Sequence, residues 1–128
     1  SAGYSMGALM FCSGDKRIAT ENCDLMFHDY SGFAWGKGGE IEDSVNHTAQ
    51  HLRKFFKKVI VDQGFLSKKE FEQMIIGKDY WMDVQEMCER GIATHVLVKG
   101  EEVKAKKYLK KLAKGNKNVK KKKKKSKK

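Results

Sequence analysis

The chain has 128 residues, of which 40% are hydrophobic, with 12 glycines, 3 cysteines and no proline. These values fit one globular domain and exclude collagen-like, disulfide-rich and membrane-spanning chains, since the longest unbroken apolar run, Ala8 to Cys12, is five residues. The net charge of +11 is uneven, because residues 99–128 hold sixteen lysines against two glutamates, whereas residues 1–98 carry a net charge of minus 3.

The first residues of the chain contain no basic segment followed by an apolar one, so we expect no signal peptide. Without one, the three unevenly spaced cysteines are expected to be reduced thiols in an intracellular, cytoplasmic protein. They are Cys12, Cys23 and Cys88.

The first part of the chain predicts one buried helix and two short strands. The run Ala8–Cys12 is apolar on every side, which is typical of a helix that is buried as it leaves a strand. Arg17–Thr20 and Leu25–Phe27 are strand candidates, and the second places His28 at its end. Residues 31–39 contain four glycines, which indicates a flexible loop or an irregular strand.

Three helices and a closing strand are predicted next. An apolar stripe at spacings of three and four over residues 40–63 predicts the longest helix. Ser67, followed three residues later by a glutamate, is a capping box that opens a short helix ending at Gly77. A further helix starts at Asp83, and residues 92–98 alternate in part, as a strand does.

The lysine-rich end predicts a last helix over residues 103–112 and disorder after Lys114, because nothing beyond that point can be buried. The chain therefore divides into a unit of residues 1–98 and a basic tail of residues 99–128. The alternation of helices and strands in the first unit favours an α/β layer fold. Few strands remain to build its sheet, so we expect the chain to be incomplete at its N-terminus.

Gly3-Tyr4-Ser5-Met6-Gly7 matches the nucleophile-elbow pattern G-x-S-x-G. In that motif a serine sits on a sharp strand-to-helix turn, where its hydroxyl is exposed and nearby amides can stabilise an oxyanion. Such a serine needs a general base and an orienting acid. His28 is the better candidate for the base, because the end of a strand is a rigid platform.

The other histidines have simpler interpretations. His47 and His51 are four residues apart on the predicted long helix and could pair on a metal, but no third ligand is in register, so we interpret them as part of a solvated face. His95 is interpreted as a residue of the closing strand.

At several places the chain resembles the proteolytic subunit of the Clp protease. The similar segments are the serine motif Gly3–Ala8, a histidine strand Asn22–His28, an irregular strand over residues 32–39, the long "handle" helix from Glu40, an aspartate segment Lys78–Met82 and a Gly91–Ala93 step into the last strand. The resemblance covers residues 1 to about 98. It implies a triad of Ser5 as nucleophile, His28 as general base and Asp79 as orienting carboxylate, with the backbone amide of Met6 as an oxyanion donor.

The resemblance also implies a Clp protease and crotonase-like fold and an ATP-dependent serine endopeptidase that hydrolyses unfolded proteins. It implies stacked homo-oligomeric rings, a Clp-type ATPase partner and no metal or organic cofactor. The apolar residues Phe55, Phe56, Val59 and Ile60 are more than one small domain can readily cover, so we expect them at a ring interface.

Two departures from the family pattern are visible in the sequence. The family commonly has Gln-Pro after the histidine, where this chain has Asp29-Tyr30. The glycine-rich turn that supplies the family's second oxyanion donor has no counterpart before Ser5. We therefore expect this sequence to be the C-terminal part of a longer subunit, with no strand before its nucleophile.

Two alternatives remain open. An α/β-hydrolase has its triad in the order serine, acid, histidine, which Ser5, Asp79 or Asp83, and His95 satisfy. A non-enzymatic scaffold could instead use the lysine tail to bind nucleic acid weakly and without sequence preference, although the same lysines are also typical of a solubilising extension.

Overall fold

A computed structural model describes the backbone over residues 2–4, 6–28, 50–51 and 53–126. Side chains are described over residues 7–28, 50–51 and 53–124. Several sequence predictions fall outside these ranges, namely those on Ser5, Asp29-Tyr30, the irregular strand over residues 32–39, the first part of the long helix, and His47.

The part of the chain that the structure describes contains two three-stranded sheets. The first consists of β1 (Ala2–Tyr4), β3 (Asp24–Phe27) and β4 (Tyr80–Asp83), in that order. β1 is parallel to the central strand β3, and β4 is antiparallel to it. The buried side chains of β3, Leu25 and Phe27, attach this sheet to the core.

The second sheet consists of β2 (Ile18–Thr20), β5 (His95–Val98) and β6 (Glu101–Lys104), with β5 in the middle. β2 is parallel to β5, and β6 is antiparallel to it. Lys99 and Gly100 join β5 to β6 with φ values of 50° and 79°. Positive φ at both central residues is the geometry of the tight hairpin turn that matches strand twist, which explains the glycine there.

The described residues also form five helices. α1 spans Met6–Ser13; α2 comprises helical residues 53–56 and the π-helical turn Lys57–Val61; α3 spans Lys68–Ile75; α4 spans Val84–Glu89; and α5 spans Ala105–Ser126. The helices predicted after Ser67 and Asp83 are confirmed, and both residues cap their helices through their side chains. None of the helices in the described ranges is long and apolar enough to cross a lipid bilayer.

The mixed helix and strand architecture confirms the predicted α/β class. The sequence did not predict β1, β4 or β6, so the structure contains more strands than expected. The expectation that no strand precedes the nucleophile Ser5 is wrong, because β1 ends at Tyr4. β1 was missed because a three-residue strand with glycine at its centre has low β-propensity.

The core is formed by helices that pack on both sheets, and α2 contributes directly to it. Phe56, Val59 and Ile60 are 3%, 6% and 0% exposed, so the prediction that they lie at a ring interface is wrong. Phe55 is half-exposed, at 45%. The described end of the predicted apolar stripe is confirmed, but its partner is the core of the same chain, together with α1 and α3.

The C-terminal segment is more ordered than the sequence predicts. Val103 in β6 and Tyr108 in α5 are buried in the common core, so the segment after residue 98 is attached to the domain by side-chain packing. The structure then differs from the predicted disorder after Lys114, because α5 continues as a helix to Ser126. Lysine is a good helix former, and the packed first turns of α5 provide the nucleus from which the helix propagates.

One ion pair joins α3 to the end of α4. The Arg90 guanidinium donates from Nη1 and Nη2 to the two carboxylate oxygens of Glu70, over 2.9 and 2.8 Å. Glu70 Oε1 also accepts from the Ser67 backbone amide, which completes the predicted capping box. The hydrogen bond from Arg90, assisted by that amide, lowers the pKa of Glu70 to about 2.

Replacing Glu70 with glutamine is expected to remove part of the acid sensitivity of folding. A carboxyl whose pKa is lowered in the folded state stabilises the protein above its unfolded pKa, near 4.5, and loses that contribution as the pH falls toward about 2. We expect Glu70→Gln to cost on the order of 1–2 kcal/mol at pH 7 and much less at pH 2, since solvent reaches the pair and weakens it. Urea titrations at both pH values measure this. Glu72→Gln, at an exposed position of α3, is the control and should change neither value by more than about 0.5 kcal/mol.

Candidate active site

The serine motif lies at a strand-to-helix connection. β1 ends at Tyr4 and α1 begins at Met6, so Ser5 is the single residue between them in the sequence. This is the context that the nucleophile-elbow pattern requires. Ser5 itself lies outside the described residues. Met6 is the first residue of α1, where backbone amides have no partner within the helix and are available to an oxyanion.

The register of β3 and β4 determines where His28 and Asp79 lie relative to each other. Phe27 is paired with Tyr80, and this pair closes the ladder between the two antiparallel strands. One step further in the same register, the next two residues are His28 and Asp79. The two sequence-predicted residues therefore leave the ladder together at one edge of the sheet.

The same edge receives the end of β1. Because β1 is parallel to β3 and Tyr4 is in register with Met26, the carboxyl ends of β1 and β3 lie side by side. The amino end of β4 reaches this edge as well, because β4 is antiparallel. Three segments that lie far apart in sequence thus meet at one edge. His28 is half-buried there and Asp79 is exposed.

Helix α3 fixes the segment that carries Asp79. The Lys78 backbone amide donates to the Gln73 carbonyl over 3.1 Å, and the Tyr80 hydroxyl donates to Gln73 Oε1 over 2.8 Å. The Lys78 ammonium lies 5.0 Å from the centre of the Tyr80 ring. Asp79 is thereby held on both sides by one residue, Gln73. The sequence did not point to this glutamine, since nothing in the helical pattern of α3 distinguishes it from other polar positions.

The residues of the α/β-hydrolase alternative are arranged differently. Asp83 is paired with Asp24, at the end of β4 opposite to Asp79, and its side chain caps α4 by accepting from the Glu86 amide over 2.9 Å. His95 lies in the second sheet, paired with Ile18, and its Nδ1 lies 2.9 Å from Thr94 Oγ1. Neither residue lies at the edge where β1, β3 and His28 meet.

The three cysteines do not offer a competing nucleophile. Burial raises the pKa of Cys12 to about 12, despite the opposing effect of Arg17, and burial also raises the pKa of Cys23 and Cys88. Since the thiolate is the reactive form, all three thiols stay protonated near neutral pH. They are all free of disulfides.

A comparison with models of protein families identifies the family of the chain. The model of the Clp protease family matches residues 2–100, which is most of the chain. The chain belongs to the Clp protease family. The segment matched includes the edge where β1, β3 and β4 meet, and it ends just before β6 and α5. The resemblance inferred from the serine, histidine and aspartate segments is therefore confirmed at the level of the family.

Individual relatives agree with this family membership. The chain is 32% identical over 99 residues to an ATP-dependent Clp protease proteolytic subunit from Bacteroides thetaiotaomicron, covering 74% of this chain and 43% of that protein. It is 31% identical over 99 residues to a protein of the same description from Bacteroides fragilis, with 74% and 46% covered. The chain thus spans less than half the length of the curated relatives it matches.

A solved structure supports the fold. The crystal structure of a peptidase from Plasmodium falciparum aligns with a TM-score of 0.59 at 18% identity, covering 77% of this chain and 55% of that one. At this level of identity the likeness concerns the architecture of the chain alone, and together with the family match it confirms the predicted fold class.

Proposed function

We propose that this member of the Clp protease family acts as the catalytic part of a serine endopeptidase. Ser5 would be the nucleophile, His28 the general base and Asp79 the orienting acid. The observation that supports this most directly is the register of β3 and β4, because its last pair, Phe27 and Tyr80, is directly next to His28 and Asp79 in the sequence, at the edge where β1 ends. A base and an acid that must share a proton network need this proximity.

In the proposed reaction, the Ser5 hydroxyl attacks the carbonyl carbon of the scissile peptide bond while His28 accepts its proton. The carbonyl oxygen becomes an oxyanion, and the Met6 amide at the start of α1 donates to it. His28 then gives its proton to the leaving amine, which leaves an acyl-enzyme on Ser5 that water hydrolyses. Asp79 holds the His28 imidazole in the tautomer that can accept the serine proton.

The natural substrates and partners that we propose follow from the relatives, which are described as ATP-dependent proteolytic subunits. They are unfolded polypeptides supplied by a Clp-type ATPase, with the peptidase assembled as stacked homo-oligomeric rings. We propose a cytoplasmic location, since three free cysteines are typical of a reducing compartment.

Labelling with a fluorophosphonate tests the nucleophile. The probe forms a covalent bond with an activated serine and needs neither a polypeptide substrate nor an ATPase, so it reports on Ser5 and its base. We expect one label per chain, located on Ser5 by peptide mass analysis, and no label in Ser5→Ala. Ser13→Ala is the matched control and should be labelled as the unmodified chain is. Ser13 itself should not react with the probe, because its Oγ donates to the Met10 carbonyl at the end of α1 over 2.8 Å. Unchanged labelling of Ser5→Ala would contradict the proposal.

The same assay separates the proposal from the α/β-hydrolase alternative. His28→Ala should abolish labelling, whereas His95→Ala should retain it, because His95 lies in the second sheet. Loss of labelling in His95→Ala with retention in His28→Ala would favour the alternative.

A further inference from the structure

Helix α5 has two parts with different surroundings. Its first turns are packed against the domain, where Tyr108 is buried and Leu109 and Leu112 are partly buried against the core. From residue 113 to residue 124 every described side chain is exposed. We call the segment of α5 from Lys114 to Ser126 the lysine arm. At 1.5 Å per residue it is a rod about 20 Å long that continues from an anchored helix.

The charge of the helix has one sign only. The sequence of α5 contains twelve lysines and no aspartate or glutamate, whereas residues 1–98 carry a net charge of minus 3. The positive charge is therefore concentrated on the helix, where no carboxylate of the same helix neutralises it. Concentrated charge of this kind attracts polyanions over a distance and raises their rate of association.

We propose that the lysine arm binds the phosphate backbone of double-stranded nucleic acid without sequence preference. Duplex DNA carries about one phosphate charge per 1.7 Å of its axis, so a segment as long as the lysine arm carries about twelve phosphates. The arm itself contains eight lysines, which is a comparable number of charges. The lysine ammonium group is a point charge on a flexible side chain, so it can contact phosphate oxygens in many orientations. It lacks the planar fork that recognises a particular base through two hydrogen bonds.

Single strands fit the arm less well than a duplex. Sequence-tolerant binding of single strands depends on aromatic side chains that stack on the bases. Tyr108 is the single aromatic residue of α5, and it is buried. The arm therefore offers charge without stacking surfaces.

A lipid surface also fits less well. A helix that lies in the membrane interface buries an apolar face opposite its basic face. In α5 the apolar residues Tyr108, Leu109 and Leu112 are already packed on the domain, and Val119, which is 54% exposed, is the only large apolar side chain of the arm. The arm lacks the apolar face that would anchor it in lipid.

This activity is separate from the proposed peptidase activity. The family match ends at residue 100, before α5 begins, and the edge next to His28 and Asp79 is formed by β1, β3 and β4. The two proposals can therefore fail independently.

Fluorescence anisotropy with the full chain and a labelled duplex of about 20 base pairs tests the inference. The apparent Kd is measured between 50 and 200 mM salt for the unmodified chain and for a variant in which five arm lysines become glutamine: Lys117, Lys120, Lys121, Lys122 and Lys124. Each phosphate contact contributes about 0.9 to the slope of log K against log salt. We expect the slope to fall by at least about 3 and the affinity at 100 mM salt to fall at least about 30-fold.

The matched control removes five charges elsewhere. Lys54, Lys57, Lys58, Lys68 and Lys69 are exposed on α2 and α3, and their replacement by glutamine leaves the arm intact. This control should lose less than about threefold in affinity, and circular dichroism should show that both variants stay folded. Equal losses in the two variants would overturn the proposal, because they would show an effect of net charge alone. Tighter binding to a single strand, to polyglutamate or to phosphatidylserine vesicles than to the duplex would also overturn it.

Discussion

Asp79→Asn is expected to slow the reaction of Ser5 with a fluorophosphonate by about 10⁴-fold, which is the size of the effect when the orienting acid of such a triad becomes an amide. Asparagine has nearly the same shape as aspartate, but its amide cannot hold the imidazole in the tautomer that accepts the serine proton. The change therefore acts on the protonation of His28 and leaves the register of β3 and β4 intact. The rate constant for the reaction of Ser5 with the probe is obtained by quenching the labelling reaction at a series of times, at several probe concentrations.

The control for this prediction is at the other end of the same strand pair. Asp24 is exposed and is paired with Asp83, so Asp24→Asn makes the same chemical change at the edge of the sheet opposite to His28. We expect its labelling rate to stay within about twofold of the unmodified chain. If Asp24→Asn and Asp79→Asn slow the reaction equally, the effect is one of general charge or stability, and the proposed role of Asp79 is wrong.

Phe27→Ala is expected to destabilise the domain by about 3–5 kcal/mol, the largest effect on folding that we predict. Phe27 is fully buried, at 0% exposure, in the central strand of the first sheet. Removing its ring loses transfer free energy and leaves a cavity between the sheet and the helices, since close-packed interiors relax only in part. Because a native domain is stable by only about 5–15 kcal/mol, this variant should unfold at a much lower urea concentration.

Two further variants make the measurement decisive. Phe27→Leu keeps most of the buried volume and should lose well under half as much stability as the alanine variant. Phe55→Ala removes the same ring from a half-exposed position and should cost less than about 1 kcal/mol. Similar losses for Phe27→Ala and Phe55→Ala would show that Phe27 is not a central core residue.

The sequence predicted the helices after Ser67 and Asp83 well because their signals are local, whereas the last helix, predicted over residues 103–112, begins at Ala105 and continues to Ser126. The capping box at Ser67 and the cap at Asp83 each act within one turn, and both are present in the structure. The periodicity of residues 53–61 correctly indicated an apolar face. It did not indicate what that face packs against, and the structure places Phe56 and Ile60 in the core of the same chain.

The strands were predicted less well, because their stability depends on partners that are distant in the chain. β4 shows no clear alternation, and it forms because Tyr80 to Asp83 pair with Phe27 to Asp24. β6 is polar at most positions and depends on the hairpin turn at Lys99 and Gly100. In both cases the pairing supplies the hydrogen bonds that the local sequence does not demand.

By itself the sequence determined several helical segments, the serine motif around Ser5 and His28 as a candidate base, because each depends on residue types at short spacings. Asp79 became a candidate only through the resemblance to a known family. The tertiary structure alone decided that the segments bearing them meet at one edge of a sheet, that Gln73 holds the Asp79 segment, and that the lysine-rich end continues as a helix anchored through Tyr108. Strand register and packing are set by contacts between residues far apart along the chain, and no local pattern encodes them.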